Sequence, residues 1–173
     1  MIAQTKWIER KFGFDFPVGM APVIVERLRG APARIELYVA GVPREILIAR
    51  VSEKWSIQEH VGHLIDLDEL HDDRIGDFLA GKLELRAADI TNARTSSAGH
   101  NGRDIRELAT EFRKQRSRFI SRVEDLKESD FERISLHPRL KLPMRLVDML
   151  YFVAEHDDHH FSVMRNNLKQ LSP

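Results

Sequence analysis

A chain of 173 residues whose 27 Lys plus Arg are balanced by 27 Asp plus Glu lacks the cationic surplus a polyanion needs, which argues against nucleic acid as a partner. It contains no cysteine, so disulfides, thiolate metal sites and a cysteine nucleophile are excluded, and any metal must be held by nitrogen and oxygen. The length suits one domain over residues 1–173. The start shows no signal peptide and nothing approaches the roughly 18 apolar residues of a membrane span, so a soluble, cytoplasmic protein is expected.

Residues 1–20 alternate aromatics with Gly and Pro, from Trp7 through Phe12, Phe14 and Phe16 to Pro17. They predict an irregular arm laid on the body, with room for a short helix over residues 6–11. Residues 22–29 read as one or two helical turns. Gly30 interrupts, and Pro32 suits the first turn of a new helix through about Ala40. Residues 46–51 form a short apolar connector. The next helix has a clear start, with Ser56 as N-cap and Glu59 three residues on completing a capping box. Ile57, Val61, Leu64, Ile75 and Phe78 then recur at helical spacing, and Gly81 supplies the stop.

Residues 82–103 make a long connection, a length that within a compact domain carries function or crosses the molecule. Another helix runs from its N-cap Asp104 to about Lys127. Its basic residues Arg113, Lys114, Arg116 and Arg118 are interspersed with acids and predict a solvated face. A second connection, 128–143, holds His137 and Pro138, and the last helix begins near Met144. Val, Ile and Thr never gather in alternating runs, so no strand is expected. The fold class is all-α, a four-helix bundle with long crossover connections and an irregular N-terminal arm. Met144, Met149 and Met164 read as core filler, and Trp55 as the residue that staples a helix start.

Placement matters more than number among the eight histidines. At about 100° per residue, Leu146, Leu150, Val153, Met164 and Leu168 define one apolar stripe of the last helix. His160 falls near its centre and His156 on its flank. Four residues apart, the two rings project from one face towards a common point. Neutral buried histidines satisfied by hydrogen bonds would explain the pair equally well. Asp157 also points inward, and a bare carboxylate is costly there. A metal, a bond to a ligating histidine or a buried arginine would resolve that cost. For a third ligand the earlier helix offers His60, His63 and His71, and helical phase alone favours His71 and His60.

The stretch Trp55-Ser56-Ile57-Gln58-Glu59-His60-Val61-Gly62-His63-Leu64, together with the late His156-x-x-x-His160 pair, resembles the signature of the DinB superfamily, bacterial four-helix bundles many of which bind metal. The helix order and the long connection after the capped helix agree, so the likeness covers most of the chain. It implies a DinB-like bundle with middle helices running in the same direction, often a homodimer. It implies His63, eight residues after the tryptophan, as third ligand beside His156 and His160. Zinc or nickel are the first expectations for the divalent ion, with iron or manganese next. Some similar proteins are transferases or isomerases that use bacillithiol, mycothiol or glutathione.

Three neutral imidazoles leave an ion's charge uncompensated and a position free, so that a bound thiol or water is activated near neutral pH. The leading expectation is activation of a low-molecular-weight thiol for S-transfer to a small-molecule substrate. The rivals are a metal-dependent hydrolase and a non-catalytic metal-binding dimer. Asp157 is the candidate catalytic residue, to orient a ligand or act as general base. His100, Arg103, His137 and Arg139, in the two long connections, are candidates to line a mouth and bind an acidic group, although loop residues on the surface would look the same.

Overall fold

The computed structural model describes residues 3–171. After the aromatic arm come α1 (Ala21–Arg29) and α2 (Ala31–Val39), each with a proline in its first turn. Both pack on the later long helices, so the pair forms one interrupted rod of the bundle. The break at Gly30 follows from Pro32, whose ring cannot continue the hydrogen-bond ladder of α1. After the short α3 (Arg44–Leu47) comes α4 (Ile57–Leu79). Its capping box is formed as expected: Ser56 Oγ accepts from Glu59 N at 3.1 Å and Glu59 Oε2 accepts from Ser56 N at 2.8 Å. Its end is set by Gly81 at φ +66, with Lys82 N donating to Asp77 O and Gly81 N to Phe78 O, both at 3.0 Å.

The first long connection is not featureless. It carries α5 (Ala93–Ser97) and a 3-10 turn at His100–Gly102, folded against α4. Gln58 Nε2 on α4 donates to His100 O at 2.6 Å and Arg103 O at 2.8 Å, which pins this segment over the start of α4. The helix α6 (Ile105–Glu124) follows, with Asp104 Oδ1 accepting from Arg106 N at 2.7 Å as its cap. The expectation of no strand is corrected by β1 (Ile134–Leu136) and β2 (Pro143–Arg145), an antiparallel pair in register Ile134↔Arg145 and Leu136↔Pro143. Three residues per strand are too few to show alternation. The hairpin is held from outside, because Leu136 N donates to Leu83 O at 2.8 Å and Leu85 N to Leu136 O at 3.0 Å. The two long connections are thereby tied to each other. The last helix, α7 (Leu146–Leu171), completes the bundle.

The interior has two apolar clusters, one around Leu28, Ile75, Phe78, Phe119 and Leu150, the other around Ile35, Ile57, Leu108, Phe112 and Phe161. Met144, Met149 and Met164 fill the core as read. Both α4 and α7 carry polar side chains between their contributions to these clusters. Here lies the sharpest departure from the sequence reading, since Arg116 is 1 % exposed rather than part of a solvated face. Its Nη2 reaches Asp68 Oδ1 at 2.8 Å and Asp157 Oδ1 at 3.1 Å, and its Nη1 bonds Asp157 Oδ2. Burial opposes the charge on Arg116, but the two carboxylates more than offset it and hold the guanidinium protonated. No helix among the described residues is long and apolar enough to cross a membrane.

Candidate metal centre

Helices α4 and α7 bring His63, His156 and His160 together, each buried and offering one ligand atom, with the three atoms within 4.8 Å of one another. His156 Nε2 lies 3.1 Å from His160 Nε2. Burial, first, and then neighbouring imidazoles keep these rings uncharged. His63 is pushed down to about 4, while His156 and His160 are pushed well below the usual histidine range. Neutral, convergent nitrogen donors are what a divalent ion requires.

The outer nitrogens of two rings are tied. His63 Nδ1 stands 3.1 Å from Thr95 Oγ1, and Thr95 donates to Asp66 Oδ2 at 2.8 Å. That oxygen also pairs with His100 Nε2 at 3.0 Å. In this chain His63 Nδ1–H donates to the hydroxyl and Nε2 is left as the lone-pair donor. His160 Nδ1 is 2.8 Å from His60 Nδ1, which leaves Nε2 of His160 for the centre in the same way. Gly62 makes the first arrangement possible, because a Cβ there would overlap the imidazole of His100. These supports come from residues the sequence reading had assigned elsewhere or missed. His60 positions His160, and Thr95 and Asp66 carried no signal beyond their nearness to a histidine-rich helix.

Two tryptophans flank the cluster. Trp55 does pack on His60, its partner across the helix start, at 5.6 Å between ring centroids. It also lies 4.6 Å from His63 and is stacked 6.3 Å from His160, so its role is not confined to the helix start. Trp7, from the arm, sits 4.9 Å from His156. A cavity of about 640 Å³ is lined in part by His60, His160 and Trp55. A second, of about 320 Å³, is lined by His156 together with His71, His137 and Arg139. Trp7 borders both.

The remaining candidates divide. Asp157 is bonded through both oxygens to Arg116, the buried-arginine outcome, and has no hydrogen bond to a histidine. It is thereby part of an Asp68–Arg116–Asp157 triad. His100 is buried beside Asp66 rather than at a mouth, and Arg103 pairs with Glu111 at 2.7 Å. His137 and Arg139 do line the smaller cavity.

A four-helix bundle with three buried histidines converging from two of its helices defines a recognisable class. The chain belongs to the DinB superfamily, which matches residues 27–164. Its structure is similar to that of YfiT from Bacillus subtilis, described as a probable metal-dependent hydrolase with an unusual four-helix bundle topology. The TM-score is 0.82 at 18% sequence identity, with 94% of each chain covered, so the likeness is one of fold. No curated protein matches the chain.

Proposed function

We propose that the protein is a metal-dependent hydrolase in which His63, His156 and His160 hold one divalent ion. The observation that carries this reading is the convergence of three neutral, buried imidazole nitrogens, two of whose rings, His160 and His156, each line a cavity. The likeness in fold to YfiT, a probable metal-dependent hydrolase, supports water, rather than a soluble thiol, as the nucleophile, and hydrolysis replaces thiol transfer as the preferred reading. An ion held this way supplies Lewis acidity and brings the pKa of bound water towards neutrality. The chain's own contribution is to fix the rings: Thr95 and Asp66 orient His63, His60 orients His160, and Trp55 and Trp7 restrict water around them. A zinc or nickel ion, a homodimer and a cytoplasmic location, as the sequence leads one to expect, belong to the same proposal.

Near-stoichiometric metal is expected in the purified protein by mass spectrometry, lost in His63→Ala and His160→Ala. Turnover of model esters without added thiol is expected to cease on chelation and return with metal. Metal unaffected by either substitution sinks the site, and metal with turnover only when a low-molecular-weight thiol is added sinks hydrolysis.

Thr95→Val keeps shape and removes the hydroxyl between His63 and Asp66. Metal affinity is expected to fall by about 10–100-fold, as for other losses of a bond to a ligating histidine. Competition against a chromophoric chelator measures it; an unchanged affinity would mean that Thr95 does not orient His63.

A further inference from the structure

The smaller cavity beside His156 is lined by two cations and no carboxylate, the charge of Arg74 being offset only at longer range by the buried Asp77. Arg74 and Arg139 both line it, and among the described residues neither has a carboxylate within 4.0 Å. Arg74 is 2 % exposed, and its Nε and Nη2 donate to Arg86 O at 3.1 and 2.9 Å, a carbonyl rather than an anion. Arg139 lies 5.7 Å from the ring centroids of both Trp7 and Phe152, which leaves its buried Nη2 with no hydrogen-bond partner.

His137 adds a third donor whose tautomer the backbone fixes. Its Nδ1 accepts from Arg139 N at 3.3 Å and Leu140 N at 3.1 Å, so the proton of the neutral ring is on Nε2. That Nε2–H is buried, has no partner, and belongs to a residue only 3 % exposed. Burial and the nearby Arg74 and Arg139 keep the ring neutral, pushed down to about 3. The buried Nη2 of Arg139 and the Nε2–H of His137 are both unmet donors, which is costly, and one anionic group would relieve them together. The rest of the wall is apolar, including Leu67, Leu70 and Ile90.

We propose that this cavity is the substrate-recognition subsite, taking a small ligand that joins one anionic group, carboxylate or phosphate, to an apolar body. The anion is held by Arg139, Arg74 and the Nε2–H of His137, and the apolar body extends along the wall that also includes His156. This rests on the hydrolase reading for its purpose, though not for its binding chemistry. Arg139 and His137 are then specificity residues, positioned by the hairpin that ties the two long connections together.

The test uses the zinc-supplemented full chain titrated with hexanoate, the neutral hexanamide and inorganic phosphate. Binding is followed by calorimetry and by the imidazole proton–nitrogen spectrum, with zinc content measured on every sample. Hexanoate is expected to bind at least about tenfold more tightly than hexanamide, the worth of one charge-assisted hydrogen bond, and to shift the His137 Nε2 resonance. Arg139→Gln and His137→Asn, the latter keeping an acceptor for the two backbone N–H groups, are expected each to lose about that factor at unchanged zinc content. Displacement of hexanoate by phosphate assigns a phosphoryl group and its failure a carboxylate; both support the anion subsite. Equal binding of hexanoate and hexanamide, or wild-type affinity in folded Arg139→Gln, overturns it. Hexanoate binding with the His137 shift in a protein that takes up no zinc leaves the subsite standing and removes the metal reading. One equivalent of zinc without hexanoate preference does the reverse.

Discussion

Replacing Arg116 with methionine is expected to destabilise the fold by about 3–5 kcal/mol, although the two side chains have comparable reach. The guanidinium lies between Asp68 on α4 and Asp157 on α7, all three nearly inaccessible to water. Removing it leaves two carboxylates facing one another in the interior. Burial already pushes Asp157 above the ordinary carboxylate range with the arginine present. Without Arg116 the opposed Asp68 charge adds to that, and one or both acids must take up a proton or draw in water. A triple variant, Arg116→Met with Asp68→Leu and Asp157→Leu, is expected to recover most of the loss, because an apolar replacement of a whole buried ion set is often neutral or better. Urea denaturation of both variants decides the matter. A single variant within about 1 kcal/mol of wild type would mean that the triad is more hydrated than its burial implies. The same experiment bears on Asp157 in catalysis: Asp157→Asn is expected to lose stability while keeping its pH–rate profile, the opposite of a general base.

The contrast between Arg116 and Ser56 explains what could be read in the chain. Ser56 with Glu59 is a local device: partners three residues apart satisfy one another whatever the rest of the molecule does. Helix starts, the Gly81 stop and the Gly30–Pro32 interruption belong to this kind, and their positions follow from residues alone. Arg116 is different. Its neighbours in sequence are polar, with Arg113, Lys114 and Arg118 close by, and its burial depends on acids 48 and 41 positions away. The same holds for His63. Helical phase on α4 favours His60 and His71, and only the likeness to a family selects His63. In the structure the phase argument fails because α4 is surrounded, with α6, α7 and the first long connection on different sides, so all three histidines are buried. Thr95 and Asp66 were not legible, since a hydroxyl from an irregular segment gains its role only when Gly62 lets His100 close against α4. His137 and Arg139 were legible as donors in a connection, but the cavity they face needed the hairpin to build it.

The acid side of the stability curve provides the second large effect, and His137 is the residue through which to see it. Its ring is pushed down to about 3 by burial and by Arg74, Arg139 and His71. In the unfolded chain it titrates near about 6.5. Between those values the unfolded state binds a proton that the folded state refuses, so stability rises with pH across the window. The contribution is therefore complete above about 6.5 and is lost as pH falls towards 3, at up to about 1.4 kcal/mol per pH unit. His137→Asn offers an oxygen to the N–H groups of Arg139 and Leu140 but cannot titrate, so it is expected to reduce the slope of unfolding free energy against pH by one proton. Chelator-treated protein should be used, so that release of metal at low pH does not add its own linkage. Urea titrations from about pH 4 to 7 measure the slope directly. An identical slope in both proteins would show that the ring is already charged in the fold, with an anion beside it even without added ligand. A slope reduced by one proton would show that the ring is neutral and that its Nε2–H is free to meet an anion.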